Sequence, residues 1–225
     1  MKIKTVFIDV DNTILDFNKC ADESMLLAAA ESGITFPENH FATFKRINDG
    51  LWQRVERGEI TVDHLYEIRW NIIFGEMNIN TDGVEFEAKF LRYLETSAVP
   101  VDGAVDMMAQ LSKKYKLCIA SNAPLGQQKK RLKKAGMMPY IDRIFTSGDL
   151  GVAKPAKEFF LKCLEKSETR ADEAVMIGDS LKADISGAAA CGIKTVWLNF
   201  DGTTPSESIK PDFTVSSHLE VCKIL

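Results

Sequence analysis

The chain has no long hydrophobic run. Its longest apolar stretches reach six or seven residues, far below the ~20 needed to span a bilayer as a helix. A membrane-spanning protein is therefore not expected. The opening Met1-Lys2-Ile3-Lys4-Thr5 leads straight into an apolar segment, so a secretory leader is not expected either. The cysteines are only five, odd in number and scattered (Cys20, Cys118, Cys163, Cys191, Cys222), and none forms a C-x-x-C pair. That usage argues against a disulfide framework and fits reduced thiols in a cytoplasmic protein. Positive charge is also lacking: the net charge is −4, which disfavours a general nucleic-acid surface but not a local anion pocket. Internal repeats and low-complexity segments are missing. Only three histidines occur (His40, His64, His218), none in a metal-ligand spacing.

What is present is an ordinary globular composition, 45% hydrophobic and 27% charged over 225 residues, enough for one full core plus an insertion. Short apolar runs predict strands at Thr5–Val10, Lys116–Ser121, Arg143–Ser147, Ala174–Gly178 and Lys194–Asn199, with an edge strand at Phe213–Val215. Between the later runs lie helical patterns. One has Val105, Met108, Leu111 and Ser112 on a face after a cap at Asp102. Another is Phe159, Phe160, Cys163 and Leu164. Alternation of strand and helix predicts an α/β protein with a Rossmann-like parallel sheet flanked by helices. The polar stretch Asp201–Asp212 reads as a surface loop.

Residues 17–95 follow a helical period instead. The stripes are Phe41, Phe44, Ile47, Leu51, Val55; then Val62, Leu65, Tyr66, Arg69, Ile72, Ile73 after a Thr61 cap; then Phe86, Phe90, Tyr93, Leu94. Gly33 and Gly58 mark breaks. This all-helical segment holds 11 of the 20 aromatic residues, enough for a core of its own. The expected division is 1–16 with 96–225 as the sheet core and 17–95 as an inserted helical unit, with hinges at Asp16–Cys20 and Glu95–Pro100.

Four chemical signals fall at predicted strand ends. They are Asp9/Asp11; Ser121-Asn122; Lys154 before Pro155; and Gly178-Asp179-Ser180 with Asp184 beyond. Each has a plain alternative. The first two fit turns, Lys154 a surface lysine, Asp179-Ser180 a helix cap and Asp184 a solvated carboxylate. All four alternatives holding together is improbable, because a parallel sheet gathers its strand ends on one edge. Four carboxylates, a hydroxyl and an ammonium suit a hard divalent cation and a phosphoryl group. Pro155 suits the first position of a helix, whose amides would then face the same anion as Lys154. Successive strand residues point to opposite faces, so Asp9 and Asp11 can share a site only if the chain bends near Val10 or Asp11.

Asp-Val-Asp-Asn-Thr, Ser-Asn, Lys-Pro and Gly-Asp-Ser-x-x-x-x-Asp, in this order, resemble the four motifs of the haloacid dehalogenase superfamily. The helical insertion resembles that superfamily's cap. The resemblance implies that Asp9 is a nucleophile forming an aspartyl-phosphate and Asp11 an acid/base. It implies Mg²⁺ held by Asp9, the Asp11 carbonyl and Asp179, with Asp184 in support. Ser121, Asn122 and Lys154 would grip the phosphoryl oxygens. An acid at Asp11 favours a phosphatase over a dehalogenase, because halide leaves without a proton. Asn12 in place of glycine argues against a phosphomutase. Asp11 to Phe17, Ile47 to Trp52 and Gly58 to Thr61 resemble the superfamily's house-cleaning nucleoside 5'-monophosphate phosphatases, which act on pyrimidine nucleotides. The implied substrate is a small phosphorylated metabolite. Phosphoglycolate, a sugar phosphate, or a non-catalytic phosphate-binding role are the alternatives. Phe17 and Trp52 are candidates to stack on a base, with packing inside the helical unit as their default. Arg54, Arg57 and Arg69 are candidates to reach a substrate, with solvated helix faces as their default. Oligomeric state has no signal in the sequence.

Overall fold

The computed structural model describes residues 2–204 and 209–225, so the centre of the 201–212 stretch lies outside the described residues. The elements run β1 (Thr5–Ile8), α1 (Phe17–Ser32), α2 (His40–Glu56), α3 (Val62–Met77), α4 (Gly83–Leu94), α5 (Ala104–Leu111) and β2 (Lys116–Ser121). They continue with α6 (Leu125–Lys134), β3 (Arg143–Thr146), α7 (Ser147–Leu150), α8 (Lys157–Ser167) and β4 (Ala174–Gly178). A wide helical turn at Leu181–Ser186 runs into α9 (Gly187–Ala189), followed by β5 (Lys194–Leu198), β6 (Phe213–Val215) and α10 (His218–Ile224). Two compact units result: Met1–Asp16 with Val99–Leu225, and Phe17–Ala98.

The first unit is a six-stranded, all-parallel sheet in the order β3-β2-β1-β4-β5-β6, the doubly wound arrangement. Central β1 pairs with β2 and β4 and is fully buried, because helices cover both faces. Val6, Ile8, Leu117, Ile119, Val175 and Ile177 face one core with Met107, Met108 and Leu111. Phe7, Cys118 and Met176 face the other with Phe159, Phe160 and Cys163. The strand order reverses beside β1, so the carboxyl ends of β1, β2 and β4 meet at the topological switch point.

Three details differ from the sequence expectation. Strand β1 stops at Ile8, and β3 and β5 end one residue early, because the chain leaves the ladder where it turns. Asp102 does not cap α5; Gly103 does, in the left-handed region at φ 74°. The fully buried face of the helix is Ala104, Met107, Met108 and Leu111, with Val105 and Ser112 partly buried beside it. Pro155 lies outside α8, whose N-cap is Ala156.

The helical unit packs α1–α4 around Phe44, Trp70, Phe74, Phe86 and Phe90. The Trp70 and Phe86 rings meet edge to face with centroids 4.4 Å apart. Thr61 caps α3 by accepting from the His64 amide. Arg69 is not solvated. It is 2% exposed, paired to Glu87 through Nε (3.0 Å) and Nη2, bonded to Asn48 Oδ1 at 2.8 Å, and packed on the Phe44, Tyr66 and Phe90 rings. A guanidinium this deep persists because every side of it meets a carboxylate, an amide or a ring face. The buried stripe of α3 is Leu65, Arg69, Trp70, Ile73 and Phe74, and Ile72 is exposed. Of the expected hinge Asp16–Cys20, residues 17–20 form the first turn of α1, with Cys20 buried.

Candidate active site

The loop after β1 solves the direction problem of the two aspartates. The Asp9 amide still pairs with Ile177 O of β4 at 3.0 Å. The Val10 carbonyl then accepts from the amides of Thr13, Ile14 and Leu15 at 3.3, 2.9 and 2.9 Å. Asn12 takes the left-handed conformation (φ 60°), which asparagine tolerates. This tight turn lets both Asp9 and Asp11 serve the carboxyl edge of the sheet.

Carboxylate oxygens of Asp9, Asp179 and Asp184 all lie within 4.8 Å of one another. Lys154 enters this group and donates to Asp9 Oδ1 (2.7 Å), Asp184 Oδ1 (2.6 Å) and Ala120 O (2.7 Å). Its three N–H groups are thereby used. The ammonium turns into the sheet edge rather than toward α8, because two carboxylates and a carbonyl outweigh a helix terminus. Thr13 Oγ1 stands 3.2 Å from Asp9 Oδ2 and 3.1 Å from Asp179 Oδ1, and accepts from the Asp179 amide at 3.0 Å. Trp197 Nε1 of β5 donates to Asp179 O at 2.8 Å. Asp184 is aimed back over the strand end by the wide turn Leu181–Ser186, and its Oδ2 accepts from the Ser180 amide at 3.1 Å.

Asn122 does not direct its side chain at this group. It clamps the Lys154 backbone, donating Nδ2 to Lys154 O (3.0 Å) and accepting at Oδ1 from the Lys154 amide (2.8 Å). Its main-chain carbonyl accepts from Ser147 Oγ at 2.7 Å. Ser121 Oγ accepts from the Ala123 amide (3.1 Å) and from Gln128 Nε2 (2.9 Å). Asp11 is held apart from the carboxylate trio: Oδ2 accepts from Gln128 Nε2 at 2.7 Å and Oδ1 from Arg131 Nη1. Thr13, Gln128, Arg131 and Trp197 received no role from the sequence. Thr13 closes the first motif. Arg131 stands in a run with Lys129, Lys130, Lys133 and Lys134, where one buried cation has no distinguishing signal. His218 is also not a ligand. It is 1% exposed, with Nδ1 2.7 Å from Asp102 O and Nε2 2.8 Å from Thr13 O, tying α10 to the back of the first loop.

Three carboxylates against one ammonium leave an excess of buried negative charge. Burial lifts the Asp9 carboxyl to about 7, against the pull of Lys154 and helped by Asp184 and Asp11. Burial, then Asp9 and Asp184, push Asp179 well above the ordinary carboxylate range. Burial works against the charged form of Lys154, yet Asp184 and Asp9 together raise its pKa. The oxygen-only donor set and its excess charge fit a hard divalent cation, for which Asp9, Asp179 and Asp184 each offer a ligand oxygen. A carboxyl raised in the native state binds a proton that the unfolded chain has released. Its stabilising contribution is therefore complete below the ordinary carboxyl pKa and is lost as pH rises through about 7 for Asp9. In chelator, the melting temperature should fall as pH rises from 5 to 8. The gain from added divalent cation should grow over the same interval, as read by differential scanning fluorimetry. A cation effect that does not vary with pH would contradict this assignment.

Gly178 is required by the same packing. A Cβ there would stand 2.2 Å from Asp184 Oδ2 and 2.4 Å from its Cγ, and Asp184 is pinned by Lys154 and Ser180. Gly178→Ala should cost about 1–3 kcal/mol of stability through overpacking and displace Asp184. The urea midpoint measures the first, and an unchanged midpoint would show that Asp184 has room to yield.

Residues 3–192 match the model of the haloacid dehalogenase-like hydrolase family, and the chain belongs to that family. It is a hydrolase. Over its whole length it is 34% identical to the HAD-hydrolase YfnB of Bacillus subtilis, covering 96% of that protein. The crystal structure of YfnB bound to magnesium superposes with a TM-score of 0.93, covering 100% of this chain and 99% of that one. The pyrimidine 5'-nucleotidases PynA of Streptococcus pneumoniae and YjjG of Escherichia coli are each 28% identical over 100% of the chain, covering 96% and 99% of those proteins. No helix among the described residues is long and apolar enough to cross a membrane.

Proposed function

We propose that the chain is a Mg²⁺-dependent phosphatase of small phosphate monoesters, acting through an aspartyl-phosphate, with pyrimidine nucleoside 5'-monophosphates as its first candidate substrates. The observation that carries this reading is the pair of carboxylates with separate surroundings: Asp9 beside Lys154, and Asp11 two residues on, held by Gln128 and Arg131. In this reading one carboxylate attacks and the other handles protons, which phosphate esters need and halides do not. The magnesium in YfnB and the names of PynA and YjjG support the metal and the nucleotide. In this reading the sheet unit is the catalytic core and the helical unit its cap.

Asp9 attacks phosphorus, and the leaving oxygen takes a proton from Asp11. Asp11 then takes a proton from the water that hydrolyses the acyl phosphate, regenerating Asp9. Lys154, with its three protons already bonded, acts on the phosphoryl group through its charge and opposes the upward shift of Asp9. Ser121 and the Asn122 main chain bind phosphoryl oxygens. Asp9, the Asp11 carbonyl and Asp179 would hold Mg²⁺, which when bound would supply charge neutralisation.

Phosphate release should be measured across pyrimidine and purine nucleoside monophosphates, sugar phosphates and phosphoglycolate, with Mg²⁺ and with chelator. Mg²⁺-dependent release led by pyrimidine nucleotides is expected. Preference for another ester would move the substrate, and an isomerised product would favour a mutase. Absence of turnover on every ester would remove the reading. Ser121→Ala should lower kcat by about 10²–10³, the cost of one lost donor to a developing anion. A loss under about tenfold would leave Ser121 as a turn residue.

A further inference from the structure

The Gln128 side chain of α6 is fully buried, and its partners dictate which way its amide faces. Nε2 lies 2.7 Å from Asp11 Oδ2 and 2.9 Å from Ser121 Oγ, while Oε1 lies 3.3 Å from Arg131 Nη1. A guanidinium only donates and a carboxylate only accepts. The oxygen must therefore face Arg131 and the NH₂ must face Asp11. One NH₂ proton goes to Asp11 and the other is left for Ser121.

The consequence falls on Ser121. A hydroxyl has two lone pairs and one proton. One lone pair accepts from the Ala123 amide at 3.1 Å and the other from Gln128 at 2.9 Å. The proton is then the only hydrogen-bonding capacity Ser121 has left, and no acceptor for it is found among the described residues. Ser121 ends β2 next to Ala120, whose carbonyl receives Lys154 Nζ at 2.7 Å. Its proton is thus presented within one residue of the ammonium that also touches Asp9.

We propose that Gln128 is a positioning residue that makes Ser121 an obligate donor to an incoming phosphoryl oxygen. Arg131 supports it by fixing the orientation of the Gln128 amide. A free serine hydroxyl must lose rotational freedom to donate; here the two accepted bonds have already removed it. The proposal rests on the phosphatase reading above and deepens it. It distinguishes Ser121 held for donation from Ser121 as a turn residue that happens to lie near the site.

The test is a double-mutant cycle on Gln128→Met and Ser121→Ala. It is read by calorimetric binding of orthophosphate to the Mg²⁺-loaded protein and separately by kcat/KM for phosphate release. Methionine keeps the volume and removes the donor. Each single variant should weaken orthophosphate binding by about tenfold, the lower range for one hydrogen bond to a charged group. In orthophosphate binding the double variant should be no weaker than Ser121→Ala alone, because there Gln128 acts through Ser121, whereas kcat/KM should show a further loss through Asp11, which Gln128 also holds. Gln128→Glu should be at least as damaging as Gln128→Met, since a carboxylate acceptor captures the Ser121 proton. Melting temperatures report folding, and a fold-wide defect would weaken binding in the Ser121→Ala background as well. Additive losses in the orthophosphate-binding cycle, orthophosphate binding undisturbed by Gln128→Met, or no orthophosphate binding by the wild type would each overturn the proposal. Wild-type turnover with an unaffected Gln128→Met would leave the phosphatase reading standing; orthophosphate binding without turnover on any ester would do the reverse.

Discussion

Asp9→Asn should abolish phosphate release while the protein still folds. Asparagine keeps the shape of the side chain but has no anion to attack phosphorus, so the covalent route closes. Loss of a nucleophile that works as part of a unit costs about 10⁴–10⁶ in kcat. Little structural penalty is expected. Ionised Asp9 is costly in its buried setting, as its raised pKa indicates, and Asn can still accept from Lys154 at Oδ1. Residues tuned for chemistry rather than stability behave this way. The assay is phosphate release from p-nitrophenyl phosphate and from a nucleotide, with far-ultraviolet circular dichroism as the folding control. Turnover above about one per cent of wild type, set against the losses just cited, would remove Asp9 from the nucleophile's role.

Lys154→Met should damage both activity and stability, in contrast to Asp9→Asn. The ammonium joins Asp9, Asp184 and the Ala120 carbonyl in a site where it is 2% exposed. Removing one member of a buried ion group leaves charges without compensation, at about 3–5 kcal/mol. The deficit has a direction with pH. Without Lys154 the Asp9 carboxyl loses its main lowering influence, so its pKa moves further up. Acid then restores neutrality, and the gap to wild type should narrow from pH 8 to pH 5. Activity should fall by at least about 10³ in kcat, at or beyond the cost of one donor in an oxyanion site. Urea titrations at the two pH values and steady-state kinetics measure these effects. Equal urea midpoints at pH 8 would mean that the carboxylates find another way to dissipate their charge.

The two variants show which features were legible in the chain and which were not. The Rossmann-like sheet could be read because its strands are buried on both faces and appear as short continuous apolar runs. The helical unit could be read because its aromatics recur at helical spacing. Asp9, Ser121, Lys154 and Asp179 could be picked out because each stands where an apolar run stops or a proline follows. A parallel sheet brings such ends together whatever the details of packing. Arg69 and Arg131 could not be picked out. A cation surrounded in sequence by polar neighbours looks the same whether it is solvated or buried, and its burial depends on partners 18 and 120 residues away. Asn122 was legible as a strand-end polar residue. Its commitment to the Lys154 backbone was not, because that depends on how two loops 32 residues apart meet.

By itself the sequence determined the class of fold, the strand ends that carry chemistry and the presence of an acid at Asp11. These follow from local patterning and from the rule that parallel strands place their carboxyl ends on one edge. Only the tertiary structure decided what each polar atom does. It used all three Lys154 protons, spent the Asn122 side chain, and filled both lone pairs of Ser121 through Ala123 and Gln128. Hydrogen-bond directions are set by which donors and acceptors meet in space, and no spacing along the chain encodes that.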